Sequence, residues 1–227
     1  MNFIEHHGHE VIDMGARNWL YEDGRETYSL EGIEKADVLI DLGACFGGFT
    51  LMASEVFKKQ IIAVEPVWFD VFQINMEKNR IDCGFYPFAI ANPKDEKGWA
   101  LMNWDGRELY ARKSTFKGVT KSTVGKKVFL KCDIEMGEWN LQPEDFADVI
   151  RCEIEIHNLT GKCSGTYSDE VDKAELIRFF EKTYYIDADD RTVTTQNGTA
   201  KVFHLYRKDT FPEKANVGGP ISKFLGV

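Results

Sequence analysis

No stretch of the 227-residue chain approaches eighteen consecutive apolar residues, so no membrane-spanning helix is expected. The opening MNFIEHHGHE has neither a basic head nor an apolar run and does not read as a signal peptide. The five cysteines (45, 83, 132, 152 and 163) contain no CxxC pair, which argues against a zinc knuckle or a disulfide frame and for reduced thiols in a cytosolic, cytoplasmic protein. In that compartment the sequons Asn158-Leu-Thr and Asn197-Gly-Thr are coincidental. Positive charge is also scarce: 28 Lys and Arg stand against 37 Asp and Glu, a net −9. General binding to nucleic acid or to an anionic membrane needs a basic surface and is therefore not expected. Aromatic content of 13% suits a packed core with aromatic-lined pockets. There is no internal repeat and no long linker, so the chain reads as one large domain with additions.

Apolar runs alternate with helical patterns, which is the order of an α/β fold. Strands are predicted at 38–42, 61–64, 84–90, 128–134, 149–156, 184–188 and 200–206. The first helix spans 48–58 with Phe49, Met52, Ala53 and Val56 on one face. The second opens at Pro66 and runs to 79 with Val67, Val71, Phe72 and Ile74 inward. Ser168 can cap a third, to 182, that buries Val171, Ala174, Ile177 and Phe180. Residues 99–104 read as a hairpin arm with Asp105-Gly106 as its turn, and Gln196-Asn-Gly198 as a later bend. The division that follows is an N-terminal cap or lid (1–35), a main domain (36–208) and a tail (209–227). Within the main domain, 98–127 is an inserted hairpin with seven basic and two acidic residues between 105 and 127. Its local charge of +5 reads either as a solvated loop or as an electropositive lip for an anionic ligand.

A glycine is missing where a dinucleotide site would need one. The first strand runs VLIDLGACFGG (38–48), and the next ends in an acid, IIAVEP, at Glu65. A GxGxxG turn lets backbone approach a pyrophosphate, but here Cys45 occupies the place of the second glycine. The looser turn suits a cofactor with an amino-acid moiety, S-adenosylmethionine. Gly43, Ala44, Cys45, Phe46 and Gly47 would pack against it, and Asp41 would favour its ammonium group directly or through water. Glu65 would accept from both ribose hydroxyls, with Pro66 and Ala89 beside it. The chain also lacks a Tyr-x-x-x-Lys relay, which disfavours the alternative of a nicotinamide-dependent reductase. A non-catalytic module that binds an adenosine cofactor is the alternative from another class.

LKCDIEMGEW (130–139) ends a strand in Asp133 and Glu135, and CEIEIH (152–157) sets Glu153, Glu155 and His157 on one side of the next. In an open α/β sheet, ligands sit beyond the carboxyl ends of the strands, where these groups converge with Asp41 and Glu65. Asp133, Glu135, Glu155 and His157 form an oxygen–nitrogen set that Mg²⁺ or Mn²⁺ accepts, although the spacing does not demand a metal. His6, His7 and His9 read as a mobile, solvated end. Cys132 and Cys152 fall on the opposite strand faces and read as core residues.

DLGACFGG, VEP, KCDIEMGEW and EIH, in this order, resemble the FkbM family of S-adenosylmethionine-dependent methyltransferases over residues 36–207. Met136 departs from the family pattern, which has glycine there; Gly137 follows one place later. The resemblance implies a Rossmann-like class I methyltransferase fold: a mostly parallel seven-stranded sheet with helices on both faces and a last antiparallel strand. It also implies methylation of a hydroxyl on a small molecule or glycan. An alcohol is too weak an acid to ionise unaided, so His157 is the expected base and Asp133 its rival. Glu135 would position the cofactor or the acceptor. The basic stretch points to an acceptor that bears phosphate, sulfate or carboxylate.

Overall fold

The computed structural model describes residues 1–104, 107–159, 173–195, 198–216 and 219–226. The chain opens with a hairpin, β1 (Phe3–His6) and β2 (His9–Ile12), and helix α1 (Trp19–Glu26). Then follow β3 (Val38–Leu42), α2 (Gly48–Val56), β4 (Gln60–Val64), α3 (Phe69–Lys78) and β5 (Gly84–Tyr86). Next come β6 (Phe88–Ile90), β7 (Trp99–Trp104), β8 (Arg107–Ser114), the short α4 (Phe116–Val119), β9 (Val128–Cys132) and β10 (Val149–Leu159). The chain finishes with α5 (Lys173–Thr183), β11 (Tyr184–Thr195), β12 (Gly198–Arg207) and α6 (Ile221–Leu225).

Seven strands form one sheet in the order β11-β12-β10-β9-β3-β4-β5. The pairs β3–β4, β4–β5, β3–β9 and β9–β10 are parallel, whereas β12 runs antiparallel to both β10 and β11. From β3 the chain first winds outward to β4 and β5, then returns to β9 on the other side. The strand order therefore reverses between β3 and β9, where a crevice opens beyond the carboxyl ends. Covered faces explain the apolar character of these strands: every residue of β3 and of β9 is buried, Asp41 and Lys131 included. One face packs Ile40, Leu42, Leu130, Cys132, Cys152 and Ile154 into the largest core cluster. The other packs Leu39 and Phe129 on Phe49 and Ala53 of α2. Among the described residues no helix is long and apolar enough to cross a membrane.

Several elements differ from the sequence reading, each for a local reason. The third predicted strand splits at Pro87, which has no N–H to give a sheet ladder; β5 stays in the main sheet while β6 pairs with β8 in a separate three-stranded sheet. The fourth stops at Cys132 because Glu135 (φ 50°) and Met136 (φ 75°) turn left-handed. Val56, expected inward, is 63% exposed, because α2 ends there and Phe57 takes the buried place. In α5, Leu176, Ile177 and Phe180 face the core and Ala174 is half-buried; Ser168, Val171, Cys163 and the turn residues 105–106 and 196–197 lie outside the described residues. The tail is not an appendage: Phe211 and Ile221 are fully buried, and Phe224 packs on Phe203.

The N-terminal segment is likewise built in. A Cβ on Gly48 would lie 2.7 Å from the Tyr21 carbonyl oxygen, so α1 meets the start of α2 backbone to backbone. Asn75 of α3 accepts from the Ile12 amide (2.8 Å) and Asn79 accepts from the Glu10 amide (3.0 Å), which fixes the hairpin on α3.

Candidate active site

The turn after β3 is shaped by one contact. Gly43 has φ +76°, and a Cβ there would stand 1.7 Å from the Asp133 carbonyl oxygen. Only glycine lets the β3 and β9 ends touch at the switch point. The Gly43 and Ala44 amides donate to the Val64 carbonyl (2.9 and 3.1 Å), so the turn is also tied to β4.

Asp41 sits beneath this turn and is fully buried. It accepts from the Thr50 hydroxyl (2.6 Å) and faces the Lys131 ammonium at 3.5 Å. Burial pushes its carboxyl up, and Lys131 and Thr50 oppose that. Lys131 in turn donates to the Gly43 carbonyl (2.6 Å). Burial disfavours its charge, but Asp41 and Asp133 outweigh that and hold the ammonium above the ordinary lysine range. Asp41 thus fixes Lys131, and Lys131 fixes the turn.

Glu65 is buried at the end of β4 and already employed. One oxygen accepts from the Val67 (2.5 Å) and Trp68 (2.9 Å) amides, and the other from the Cys45 amide (2.8 Å). Burial raises its pKa against these bonds. Two oxygens offer about four acceptor positions, so three amides leave capacity for one further donor.

Two cavities meet at the Gly43–Asp133 contact. One is lined by Cys45, Glu65, Pro66, Ala89, Ile90 and Met102. The other lies under α1, between Trp19, Tyr28, Lys131, Glu155, His157 and Lys201. Gly43, Cys45, Asp133 and Glu135 line both. Phe46 and Gly47 line neither: the Phe46 ring is buried against Tyr21 and Trp68, and Gly47 caps α2.

In the second cavity, His157 projects from β10 with its ring almost wholly buried. Nδ1 stands 3.1 Å from the buried Glu138 carboxylate, which also accepts from the His157 amide (2.9 Å). Nε2 looks toward Glu135 (3.4 Å) and Glu155 (3.9 Å). Burial works against a charged ring, but Glu138, Glu135 and Glu155 together raise its pKa well above the usual value. Asp133 accepts from the Tyr28 hydroxyl (2.9 Å). Burial opposes its charge, yet Lys131 and His157 hold its pKa below the ordinary value. Glu155 is the counterpart: burial, then the neighbouring Asp133, raises its carboxyl to about 9, so it donates a hydrogen to Asp133.

Ligand atoms of Asp133, Glu155 and His157 lie within 4.8 Å of one another, which unites three of the four residues considered for Mg²⁺ or Mn²⁺. Asp133 and Glu135 reach this place from an irregular turn, not from alternate positions of one strand. Three side chains of the basic stretch have partners within the protein. Arg107 forks onto Asp70 (2.7 and 3.1 Å), and Lys113 pairs with Asp95 (2.6 Å). Lys126 and Lys127 lead into β9 at the opposite end of the sheet, where Lys126 bonds Gln60.

Sequence reasoning passed over Lys131, Glu138 and Tyr28. The first two are the outer members of KCDIEMGE, so that motif carried their signal. Tyr28 gave none, being 105 residues from its partner Asp133. It is placed by a strap, residues 28–31, that a buried network docks on β10 and β12. Glu153 accepts from the Ser29 amide (2.9 Å), bonds His204 (2.7 Å) and pairs with buried Arg151. Arg151 donates to the Glu31 carbonyl (3.1 Å), and Tyr206 donates to the Glu31 carboxylate (2.7 Å).

Among solved structures, the N-terminal domain of EvdMO1 with SAH bound aligns at 14% identity with a TM-score of 0.52, over 91% of this chain and 90% of that one. The same domain in the presence of SAH and D-fucose aligns at 14% identity with 0.51 over the same shares. A structure of EvdMO1 also aligns at 14% identity, with a TM-score of 0.50 over 91% of this chain and 44% of that one, so the chain spans less than half of its length. These likenesses establish the fold as the Rossmann-like class I methyltransferase fold. No protein-family model matches the chain. No curated protein matches it either.

Proposed function

We propose that the chain is an S-adenosylmethionine-dependent O-methyltransferase acting on a hydroxyl of a sugar or similar small molecule, in the manner the FkbM resemblance implies. The observation that carries this reading is the meeting of the two cavities at Gly43 and Asp133, with His157 Nε2 facing the second. The residues fit the cofactor: Gly43 and Cys45 of the turn line both cavities, and Glu65 keeps an acceptor position beside Pro66 and Ala89. Asp133, held ionised at the junction, complements a cationic centre. Bound there, the cofactor supplies an activated methyl group.

The chain's own residues then align and deprotonate the acceptor. Glu138 orients the His157 ring through Nδ1, so Nε2 is the atom that takes the hydroxyl proton. Tyr28 and Glu155 hold Asp133 in place from either side. A sugar acceptor is supported by the exposed indole of Trp19 (58% accessible), an apolar platform at the edge of a cavity that Lys131, Asp133, Glu155 and His157 also line. The D-fucose in the EvdMO1 structure is consistent with it. An acidic group on the acceptor is tested by comparing turnover of neutral and anionic sugars.

Calorimetry tests the cofactor directly. Micromolar binding of S-adenosylmethionine or S-adenosylhomocysteine is expected; binding of NADH with neither of these would overturn the reading. Glu65→Gln keeps part of the amide bonding and should weaken cofactor affinity about tenfold, as expected for one charge-assisted hydrogen bond. Asp133, Glu155 and His157 also suit a divalent cation as a mixed donor set. Turnover that survives a chelator leaves proton removal to a side chain, and its loss in His157→Ala then separates His157 from Asp133.

A further inference from the structure

The N-terminal hairpin brings two imidazoles and a carboxylate together far from any role in the proposed chemistry. Consecutive residues of a strand point to opposite faces, yet the His6 and His7 rings lie 4.7 Å apart. The cause is the turn: His7 (φ 49°) and Gly8 (φ 83°) are both left-handed, which swings His7 back over the hairpin. For a residue other than glycine that conformation is sparsely populated. Both rings converge on Glu22 of α1, with His7 Nε2 at 3.1 Å and His6 Nδ1 at 3.6 Å from its Oε1. His9 is not part of the group, because it bonds Glu55 (3.2 Å), which Arg25 also holds (2.9 Å).

We propose that His6, His7 and Glu22 form a binding site for a zinc-class divalent cation that fastens the N-terminal hairpin to α1. One ligand atom from each residue lies within 4.8 Å of the others. Zinc–nitrogen and zinc–oxygen bonds of about 2.0–2.1 Å in tetrahedral geometry put neighbouring ligand atoms about 3.3 Å apart. The 3.1 and 3.6 Å separations bracket that value. Imidazole with carboxylate and no thiolate suits Zn²⁺ better than the hard cations. Three protein ligands leave a fourth position for water. Because α1 also carries Trp19 and lines the second cavity, the cation would brace that wall.

The test uses the untagged full chain, stripped with chelator, titrated with Zn²⁺ by calorimetry and followed by thermal unfolding. One Zn²⁺ per chain and a raised Tm are expected. His7→Ala and Glu22→Gln should each weaken binding at least tenfold and abolish the Tm shift, whereas His9→Ala should leave both unchanged. Both replaced side chains are nearly half exposed, so the fold should tolerate them. Co²⁺ gives a reading on the unmodified chain: its visible d–d absorption reports ligation, and prior loading with Zn²⁺ should suppress it. No binding of either ion would overturn the proposal. So would Zn²⁺ binding that persists in both variants and is lost in Glu155→Gln, since the cation would then belong to the second cavity.

Discussion

His157 is clamped at one nitrogen and open at the other, and that asymmetry decides its chemistry. Glu138 accepts from both the His157 amide and Nδ1, so the ring cannot flip without losing a buried bond. A base must be neutral before it can take a proton, but Glu138 and then Glu135 keep the ring charged to a higher pH than an ordinary histidine. The rising limb of the kcat profile should therefore lie above pH 6.5, the usual imidazole value. His157→Ala should lower kcat by about 10²–10⁴, the range for losing a general base. Glu138→Gln removes the largest charge that raises the pKa, so it should move the limb toward acid and lower kcat about tenfold or more. A profile that stays in place in Glu138→Gln would show that another group removes the proton.

At the scale of elements, the turn between β9 and the helical residues 137–140 sets two opposing effects against each other. Met136 adopts a left-handed conformation (φ 75°), which costs a residue with a side chain about 1 kcal/mol or more. Its side chain is 1% exposed in the main core, and removing such a side chain costs about 2–5 kcal/mol. Packing wins, so Met136→Gly, the residue of the family pattern, should destabilise the chain by about 2 kcal/mol in urea unfolding. A gain in stability would mean that strain dominates. The same turn shows what was legible in the sequence and what was not. Strands β3, β4, β9 and β10 were readable because β-branched and other apolar residues dominate each run, even though β3, β9 and β10 also carry buried charged groups. The end of β9 was not, since alternation continues through Asp133 and Glu135 while the backbone has already turned. Pro87 could have marked the break between β5 and β6, but the pairing of β6 with β8 depends on a distant segment. The placement of the basic stretch was not legible either: Arg107 opens β8 of the three-stranded sheet, whereas Lys127 directly precedes β9 of the main sheet.

On the scale of the whole molecule, the central sheet has one apolar face and one face that carries a buried row of charge. Asp41, Lys131, Arg151, Glu153, Glu155 and His157 share the second face, sealed by the N-terminal strap and α2. Stability must therefore follow the protonation of this row. Glu155 keeps its proton to about pH 9 in the fold, whereas an ordinary glutamate ionises near 4.5. His157 is shifted upward as well. For both groups the folded state binds more protons than the unfolded one, so their contribution is complete below the unfolded pKa and is lost as pH rises through the folded pKa. Asp133, shifted down, acts in the opposite sense, but only as pH falls below about 4. Stability should accordingly decline between pH 4.5 and 9, the interval set by the two values of Glu155. Glu155→Gln keeps a hydrogen-bond donor for Asp133 and has no proton to lose. Its Tm should match that of the parent near pH 5 and exceed it by about 3 °C or more at pH 8.5, since each kcal/mol shifts Tm by about 2–4 °C at this size. Parallel Tm curves for the two proteins across that interval would show that Glu155 is not the group that stores the proton.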